Sequence, residues 1–526
     1  MSGDSRNNLG MRLLKKGHKG ILRLVFSRTA IITLLFLTNF TLLFLFLFRF
    51  STLWPGYYGF NALFTVIMAL YLFNSRLDPS AKLTWLVLIT TMPIFGTLFY
   101  FFSLVDLGHK AMGKRWKQIC IETGSALAQD EAVTNMLKAH SPETLALSNY
   151  LNRTGCYPVY ANTDVEYFPS GEAKYQAMLR ELEKAEHFIF LEYFIIDEGI
   201  MWGNVLDILA RKVKEGVEVR LLYDGNCEFS TLPRSYPQML RNLGIDCRVF
   251  SPVTPFVSTH YNYRDHRKIL VIDGHTAFTG GVNLADEYIN RVERFGHWKD
   301  TAIMLKGEAV RSFTLMFLQM WCIRDKVTEL GDYLGYPTLS PENSTGFVLP
   351  YGDSPLDDER VGHQVYLDIL NRAERYVHIM TPYLILDAEM ENALKYAAKR
   401  GVDVSLILPA IPDKKIPYAL AKSHYKALLS AGVKIYEYTP GFIHAKVFVS
   451  DDIKAVVGTI NLDYRSFSHH FECAAYMHGS DCIADIGRDF EETLSLCRRV
   501  SMETVKKEKL RTKLVGYLMK VVSPLL

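Results

Sequence analysis

The chain has 526 residues, with 59 Lys and Arg against 56 Asp and Glu and a formal net charge of +3. That length holds two or three domains and a large core, and the nearly neutral balance gives no chain-wide cationic surface for nucleic acid. The eight cysteines are scattered, without a C-x-x-C pair or a Cys/His spacing suited to zinc, so they read as free, mostly buried thiols.

Residues 1–28 are a basic arm, with Arg6, Arg12, Lys15, Lys16, Lys19, Arg23 and Arg28 against Asp4. Thr29 to Phe48, Phe50 to Ser75 and Leu83 to Val105 then run without a charge. Each is long enough for the ~20 residues of a membrane-spanning helix. A transmembrane region of two to three helices is expected over 29–105, which implies a multi-pass cell-membrane protein. The basic arm favours an inside N-terminus. Three crossings then put the rest of the chain outside, whereas Lys110, Lys114, Arg115 and Lys117 favour inside. Two crossings, with one of the first two stretches interfacial or re-entrant, keep both inside, and the sequence leaves both topologies open.

Residues 106–150 read as a mostly helical connector. A strand over His187 to Phe194, a helix over Met201 to Lys214 and a strand over Val217 to Asp224 follow, and the pattern recurs at Arg375 to Tyr383, Ala388 to Lys399 and Val402 to Pro409. The chain therefore divides into two α/β domains with largely parallel or mixed sheets, 151–340 and 341–500, across a Gly- and Pro-broken boundary near Lys326 to Pro350. The acids Asp353, Asp357, Asp358 and Glu359 read as a solvated loop, so Asp353→Ala is expected to be harmless. The basic segment 501–526 carries Leu510, Leu514, Leu518 and Val521 at helical spacing. It either lies on an anionic membrane or docks as a helix with its basic face in solvent.

One stretch occurs twice. HRKILVID (His266 to Asp273) and HAKVFVSD (His444 to Asp451) both read His-x-Lys-x-x-x-x-Asp, and Asn283 and Asn461 each follow their histidine by 17 residues. Alternation along a strand places His266 with Lys268, and His444 with Lys446, on one face. An imidazole beside an ammonium suits phosphoryl chemistry: the first attacks phosphorus or carries a proton, the second stabilises phosphate charge. The candidate catalytic set is His266, Lys268, Asp273, His444, Lys446 and Asp451. The two aspartates fall on the opposite strand face and read as structural support.

These motifs resemble those of the phospholipase D superfamily. Within it the stretches Asn262 to Tyr288, His297 to Asp300, Thr381 to Asp387, Gly441 to Lys446 and Gly458 to Glu472 are similar to bacterial cardiolipin synthases, as are Leu77 to Tyr100 and the ending SPLL. Two features depart from that family: the first apolar stretch is an addition, and YGDSP (Tyr351 to Pro355) replaces a Ser-Gly-Pro turn. The resemblance implies two duplicated phospholipase D-like α/β domains sharing one cleft, and a metal-free ping-pong transfer. One phosphatidylglycerol gives a phosphatidyl-histidine, and a second resolves it to cardiolipin and glycerol. By the same resemblance His266 is the nucleophile and His444 the acid, although the sequence does not itself distinguish them. Asn283 and Asn461 bind phosphate with the lysines, and Asp300 and Glu472 are candidates to orient the imidazoles. His469 and His470 adjoin Phe471 and Glu472, which allows them a place near the cleft, and receive no role. A hydrolytic phospholipase D or nuclease, or a non-catalytic lipid-binding scaffold, is the alternative. The expected partners are phosphatidylglycerol and membrane lipids, with no nucleic acid.

Overall fold

In a computed structural model of the chain, the described residues are Thr41 and those from Tyr57 to Leu525, apart from 76, 92–95, 98, 102–106, 253–262, 324, 326–329, 339–340, 342–343 and 358. The basic arm, and the first apolar stretch except Thr41, lie outside them. The described residues form two compact units, one within Gly108–Lys520 and a smaller one made of those up to Leu107 and from Val521 on.

In the smaller unit, helices Tyr57–Phe73 and Pro79–Thr91 have 17 and 13 residues. Side chains set their ends. Asn74 Nδ2 and Ser75 Oγ donate to the carbonyls of Leu70 (2.8 Å) and Leu72 (2.7 Å), taking the last carbonyls of the first helix. Asp78 accepts from the Ser80 amide at 2.8 Å and opens the second. Met68, Leu72, Trp85, Ile89 and Tyr100 pack together. Among the described residues no helix is long and apolar enough to cross a membrane. The charge-free runs are thus longer than the described helices within them.

The larger unit opens with helices Leu107–Thr123, Glu131–His140 and Pro142–Gly155, then carries two sheets. Strands of the first half are β1 (Thr163–Phe168), β2 (Phe188–Tyr193), β3 (Glu218–Asp224), β4 (Asp246–Phe250), β5 (Arg264–Asp265), β6 (Lys268–Ile272), β7 (Thr276–Gly280), β8 (His297–Lys299) and β9 (Ala302–Gly307). Those of the second are β10 (Phe347–Asp353), β11 (Tyr376–Met380), β12 (Leu384–Ile385), β13 (Asp403–Pro409), β14 (Lys434–Tyr438), β15 (Gly441–Ile443), β16 (Val447–Ser450), β17 (Lys454–Gly458), β18 (Leu462–Asp463), β19 (His470–His478) and β20 (Cys497–Arg499).

The main sheets run β1-β9-β7-β6-β2-β3-β4 and β10-β19-β17-β16-β11-β13-β14-β20. Position for position they repeat, with β20 added at one edge. Both are mixed: β2-β3-β4 and β11-β13-β14 pair parallel, and the remaining pairs are antiparallel. The parallel strands are joined through helices such as Ile200–Lys214 and Ala388–Lys399, as crossover geometry requires. Helix Val310–Trp321 is buried on all sides and packs against β2, β6 and β10. Two of its buried polar side chains reach partners outside it: Ser312 bonds Tyr160 at 2.9 Å, and Gln319 donates to Thr123 at 2.8 Å.

One expectation is corrected here. Asp353 is no solvated loop residue: it ends β10, is buried, and accepts from the amides of Ser354 (3.0 Å), Val361 (3.2 Å) and Gly362 (2.7 Å). The last two are unpaired donors of helix Val361–Arg372, so the carboxylate ties that helix to the sheet. The cysteines are all free, five of them buried.

Candidate active site

Two short strand pairs bridge the halves, and they build the site. β5, just before His266, pairs with the start of β19, and β15, just before His444, pairs with β8. The His266 amide donates to the Phe471 carbonyl at 2.9 Å, and the His444 amide to that of Lys299 at 2.7 Å. One residue further along each partner strand is an acid. Glu472 stands 3.0 Å from His266 Nδ1 through both oxygens, and Asp300 Oδ2 stands 2.7 Å from His444 Nδ1. Each imidazole therefore takes its carboxylate from the opposite half.

This geometry revises the local picture drawn from alternation. The histidines do not lie in the sheet strands, which begin at Lys268 and Val447; they sit where the chain leaves a partner in the other half and joins its own sheet. Lys268 and Lys446 curl back, and each Nζ donates to the carbonyl of its own histidine. All four side chains are buried. Asp273 and Asp451 do not lie on a strand face either, but in left-handed turns (φ 50° and 58°) beyond β6 and β16. Asp273 accepts from the amides of Glu186, His187 and Phe188 at 2.7–2.8 Å, and Asp451 from those of Glu374, Arg375 and Tyr376 at 2.8–3.0 Å. They pin the start of β2 and β11 and touch neither imidazole.

Asn283 accepts from the Ile195 amide (3.0 Å) and donates one of its two Nδ2 hydrogens to the Tyr288 hydroxyl (2.7 Å), whose ring stands 5.5 Å from His444. Asn461 is buried, and its Oδ1 has no hydrogen-bond partner among the described residues.

Burial governs the titration of this site. It pushes His266 well below the ordinary histidine value despite Glu472, and His444 down to about 4, with Lys446 adding to the effect. It lowers Lys268 to about 8 and Lys446 to about 7. Burial alone would raise the two acids, but the facing imidazoles outweigh it and hold Glu472 and Asp300 low. At neutral pH this leaves two ionised carboxylates against two neutral imidazoles. An Nδ1–H directed at the acid puts the lone pair on Nε2.

Several further residues at the site lie outside the candidate set. His470 lies beside His266, ring centroids 5.3 Å apart, with its Nδ1 3.5 Å from Glu472. Trp298 holds the equivalent place in the other half, 5.3 Å from His444, with Nε1 3.5 Å from Asp300. The two half-sites thus differ by an imidazole against an indole. Thr459 and Gly281 occupy matching places in GTIN and GGVN: the Thr459 hydroxyl donates to Glu472, whereas a Cβ at Gly281 would lie 2.0 Å from Asp300 Oδ1. Arg267, buried beneath the site, pairs with Glu192 (2.7 Å) and Asp265 (3.4 Å). Lys174 is buried too, donates to the Tyr193 hydroxyl at 3.1 Å, and is lowered by burial to about 7. The ligand atoms of His266, His470 and Glu472 lie within 4.8 Å of one another, as do those of His363, Asp387 and Glu389, so either trio could hold a metal ion.

A duplicated mixed sheet with two His-x-Lys motifs meeting across a seam defines the phospholipase D class. The family described as "Cardiolipin synthase, PLD-like domain" matches residues 178–321 and 366–494, and "Phospholipase_D-nuclease N-terminal" matches 63–103. The chain is 58% identical to an uncharacterized protein of Streptococcus mutans serotype c (87% of this chain, 99% of the other). It is 34% identical to a cardiolipin synthase of Alkalihalophilus pseudofirmus (88% and 92%) and 35% identical to cardiolipin synthase 2 of Bacillus anthracis (86% and 88%). The crystal structure of the phosphatidylserine synthase of Haemophilus influenzae Rd KW20 shares the fold, with a TM-score of 0.56 at 15% identity over 73% of this chain and 98% of the other. The chain belongs to the cardiolipin synthase family.

Proposed function

We propose that the protein joins two phosphatidylglycerols into cardiolipin and glycerol through a phosphatidyl-histidine. The observation that carries this reading is the reciprocal pairing of His266 with Glu472 and His444 with Asp300, which fixes both rings by Nδ1. His266 Nε2 attacks the phosphorus of one phosphatidylglycerol and forms a P–N bond. The P–O bond to the departing glycerol breaks, and His444 gives that oxygen its proton. In the free protein His444 titrates at about 4. The anionic phosphodiester arriving beside it favours the protonated form, so the proton is taken up with substrate. Lys268, Lys446, Asn283 and Asn461 hold the phosphate oxygens. The glycerol hydroxyl of a second lipid then returns its proton to His444 and attacks phosphorus, and the P–N bond breaks. Glu472 and Asp300 act as positioning residues.

We read residues 151–340 and 341–500 as the two catalytic domains and 29–105 as a membrane region that keeps the cleft at the lipid surface. Two features support the membrane reading: Leu63, Val66, Ile67, Leu70 and Phe73 are exposed on one helix, and the N-terminal family match covers the same stretch. Protease digestion of a C-terminal tag in intact spheroplasts reports the side. Digestion means three crossings and an outward site; protection means an even number.

The test of function is lipid mass spectrometry with purified protein in phosphatidylglycerol vesicles. Cardiolipin and free glycerol should appear in equal amounts, added glycerol should reverse the reaction, and a denaturing quench at neutral to mildly alkaline pH, where the acid-labile P–N bond survives, should trap the phosphatidyl group on His266. Phosphatidic acid as the main product would make the protein a hydrolase.

A further inference from the structure

The helix Leu510–Val522 is turned the opposite way from an ordinary docked amphipathic helix. It comes up against the domain at Gly516, which is buried: a Cβ there would lie 2.4 Å from the Ala419 carbonyl oxygen and 3.4 Å from Ser423, and on the same side Lys520 pairs with Glu391 at 3.4 Å. Only a residue without a side chain lets the two backbones approach that closely. The leucines point away from this contact, with Leu510, Leu514 and Leu518 exposed by 81, 57 and 61% and Tyr517 by 57%. At 3.6 residues per turn these four fall within about 100° of one another, well away from Gly516. On the same wheel Arg511 stands at one margin of the apolar arc, and Lys513 and Lys520 beyond the other. Lys506, Lys507 and Lys509 precede the helix and are exposed. The segment's two acids are engaged, Glu508 with Lys422 and Glu503 with Lys507.

We propose that this face inserts into the surface of an anionic lipid bilayer, leucines among the acyl chains and the flanking cations at the phosphates. An apolar arc with basic margins is the arrangement an interfacial helix needs, because Lys and Arg stems run along apolar surface while their charges reach the headgroups. The same charges argue against a second copy of the chain as the cover. Self-pairing about a twofold axis would set like charges together and desolvate them, whereas anionic lipid neutralises each one. The inference stands apart from the reading of residues 29–105, since it concerns how the catalytic unit meets the bilayer and not what crosses it.

The experiment uses the full chain carrying Leu514→Cys, labelled with an environment-sensitive fluorophore and reconstituted in vesicles whose acyl chains bear bromine. The parent chain, labelled in parallel, corrects for native cysteines. Vesicles of phosphatidylcholine alone are compared with vesicles that also contain phosphatidylserine, which supplies anionic charge without the glycerol headgroup. We expect quenching in the anionic vesicles that is at least fivefold weaker in phosphatidylcholine and equally weakened by Arg511→Glu with Lys513→Glu. Cardiolipin synthesis, assayed on the same preparations, reports separately on the catalytic reading. No quenching in either vesicle overturns the proposal, and so does equal quenching in both. Shielding in lipid-free detergent that grows with protein concentration would assign the face to a second copy and would also overturn it.

Discussion

Replacing Glu472 by Gln removes a charge at nearly constant volume, and its cost can be worked from the site. Both carboxylate oxygens stand 3.0 Å from His266 Nδ1, and one also accepts from Thr459. The imidazole gains positive character as the P–N bond forms, so a charge-assisted hydrogen bond worth about 1.5–3 kcal/mol is lost in the transition state. That is about 10- to 150-fold in rate. A second effect adds to it. If the amide turns its NH2 toward Nδ1, that nitrogen must accept, the proton moves to Nε2, and the nucleophilic lone pair disappears; the same inversion costs up to about 10⁴ in serine protease triads. We expect kcat to fall by about 10²–10⁴ with little change in KM, measured as glycerol released and cardiolipin formed in phosphatidylglycerol vesicles. A variant that stays folded and turns over within about threefold of the parent would refute the positioning role.

Three other outcomes follow from distances and charges in the site and around it. Lys446 and Lys268 titrate at about 7 and 8, so their cations are present below those values and lost as pH rises. The kcat/KM profile should therefore fall on its alkaline side near neutrality, and Lys446→Arg should move that limb upward; an unmoved limb contradicts the assignment. Gly281→Ala would put a methyl group against Asp300 and should lower kcat at least tenfold, whereas Gly487→Ala, with nothing within 4 Å, should leave it unchanged. Asp353→Ala strands three buried amides and should lower unfolding stability by about 2–4 kcal/mol, with Asp353→Asn milder, as denaturant titration would show.

The duplication was legible because its signal is periodic. Two motifs with the same 17-residue offset, and strand–helix–strand patterns entered by Gly216 and Gly401 (φ 96° at both), need no tertiary information. What pattern cannot carry is pairing between distant segments. Strand alternation put His266 in a sheet strand, yet the residue before it pairs with Phe471, more than 200 positions away. The nearness of His470 and Trp298 to the two imidazoles follows from those same cross-pairs: adjacency to Glu472 hints at the first, and nothing along the chain marks the second. Asp353 was misread for a related reason. Gly352 and Pro355 beside several acids look like a surface loop, but the strand β10 that ends at Asp353 is buried along its length, and the neighbouring helix supplies two of the amides. The helix from Leu510 follows the helical spacing of its leucines, and Gly516 tells which side faces the protein.

The reciprocal acids have a consequence for how such a chain can diverge. In most tandem duplications one copy is free to drift once the other carries the activity. Here an imidazole in each half is answered by a carboxylate in the other, through strand pairs that exist only when both are folded together. On the proposed mechanism, losing an acid from one copy would disarm the histidine of its sibling, and the damaged half would keep its own. Neither copy can become a relic while its partner still works, and any specialisation, such as the imidazole at 470 set against the indole at 298, has to be made around that exchange.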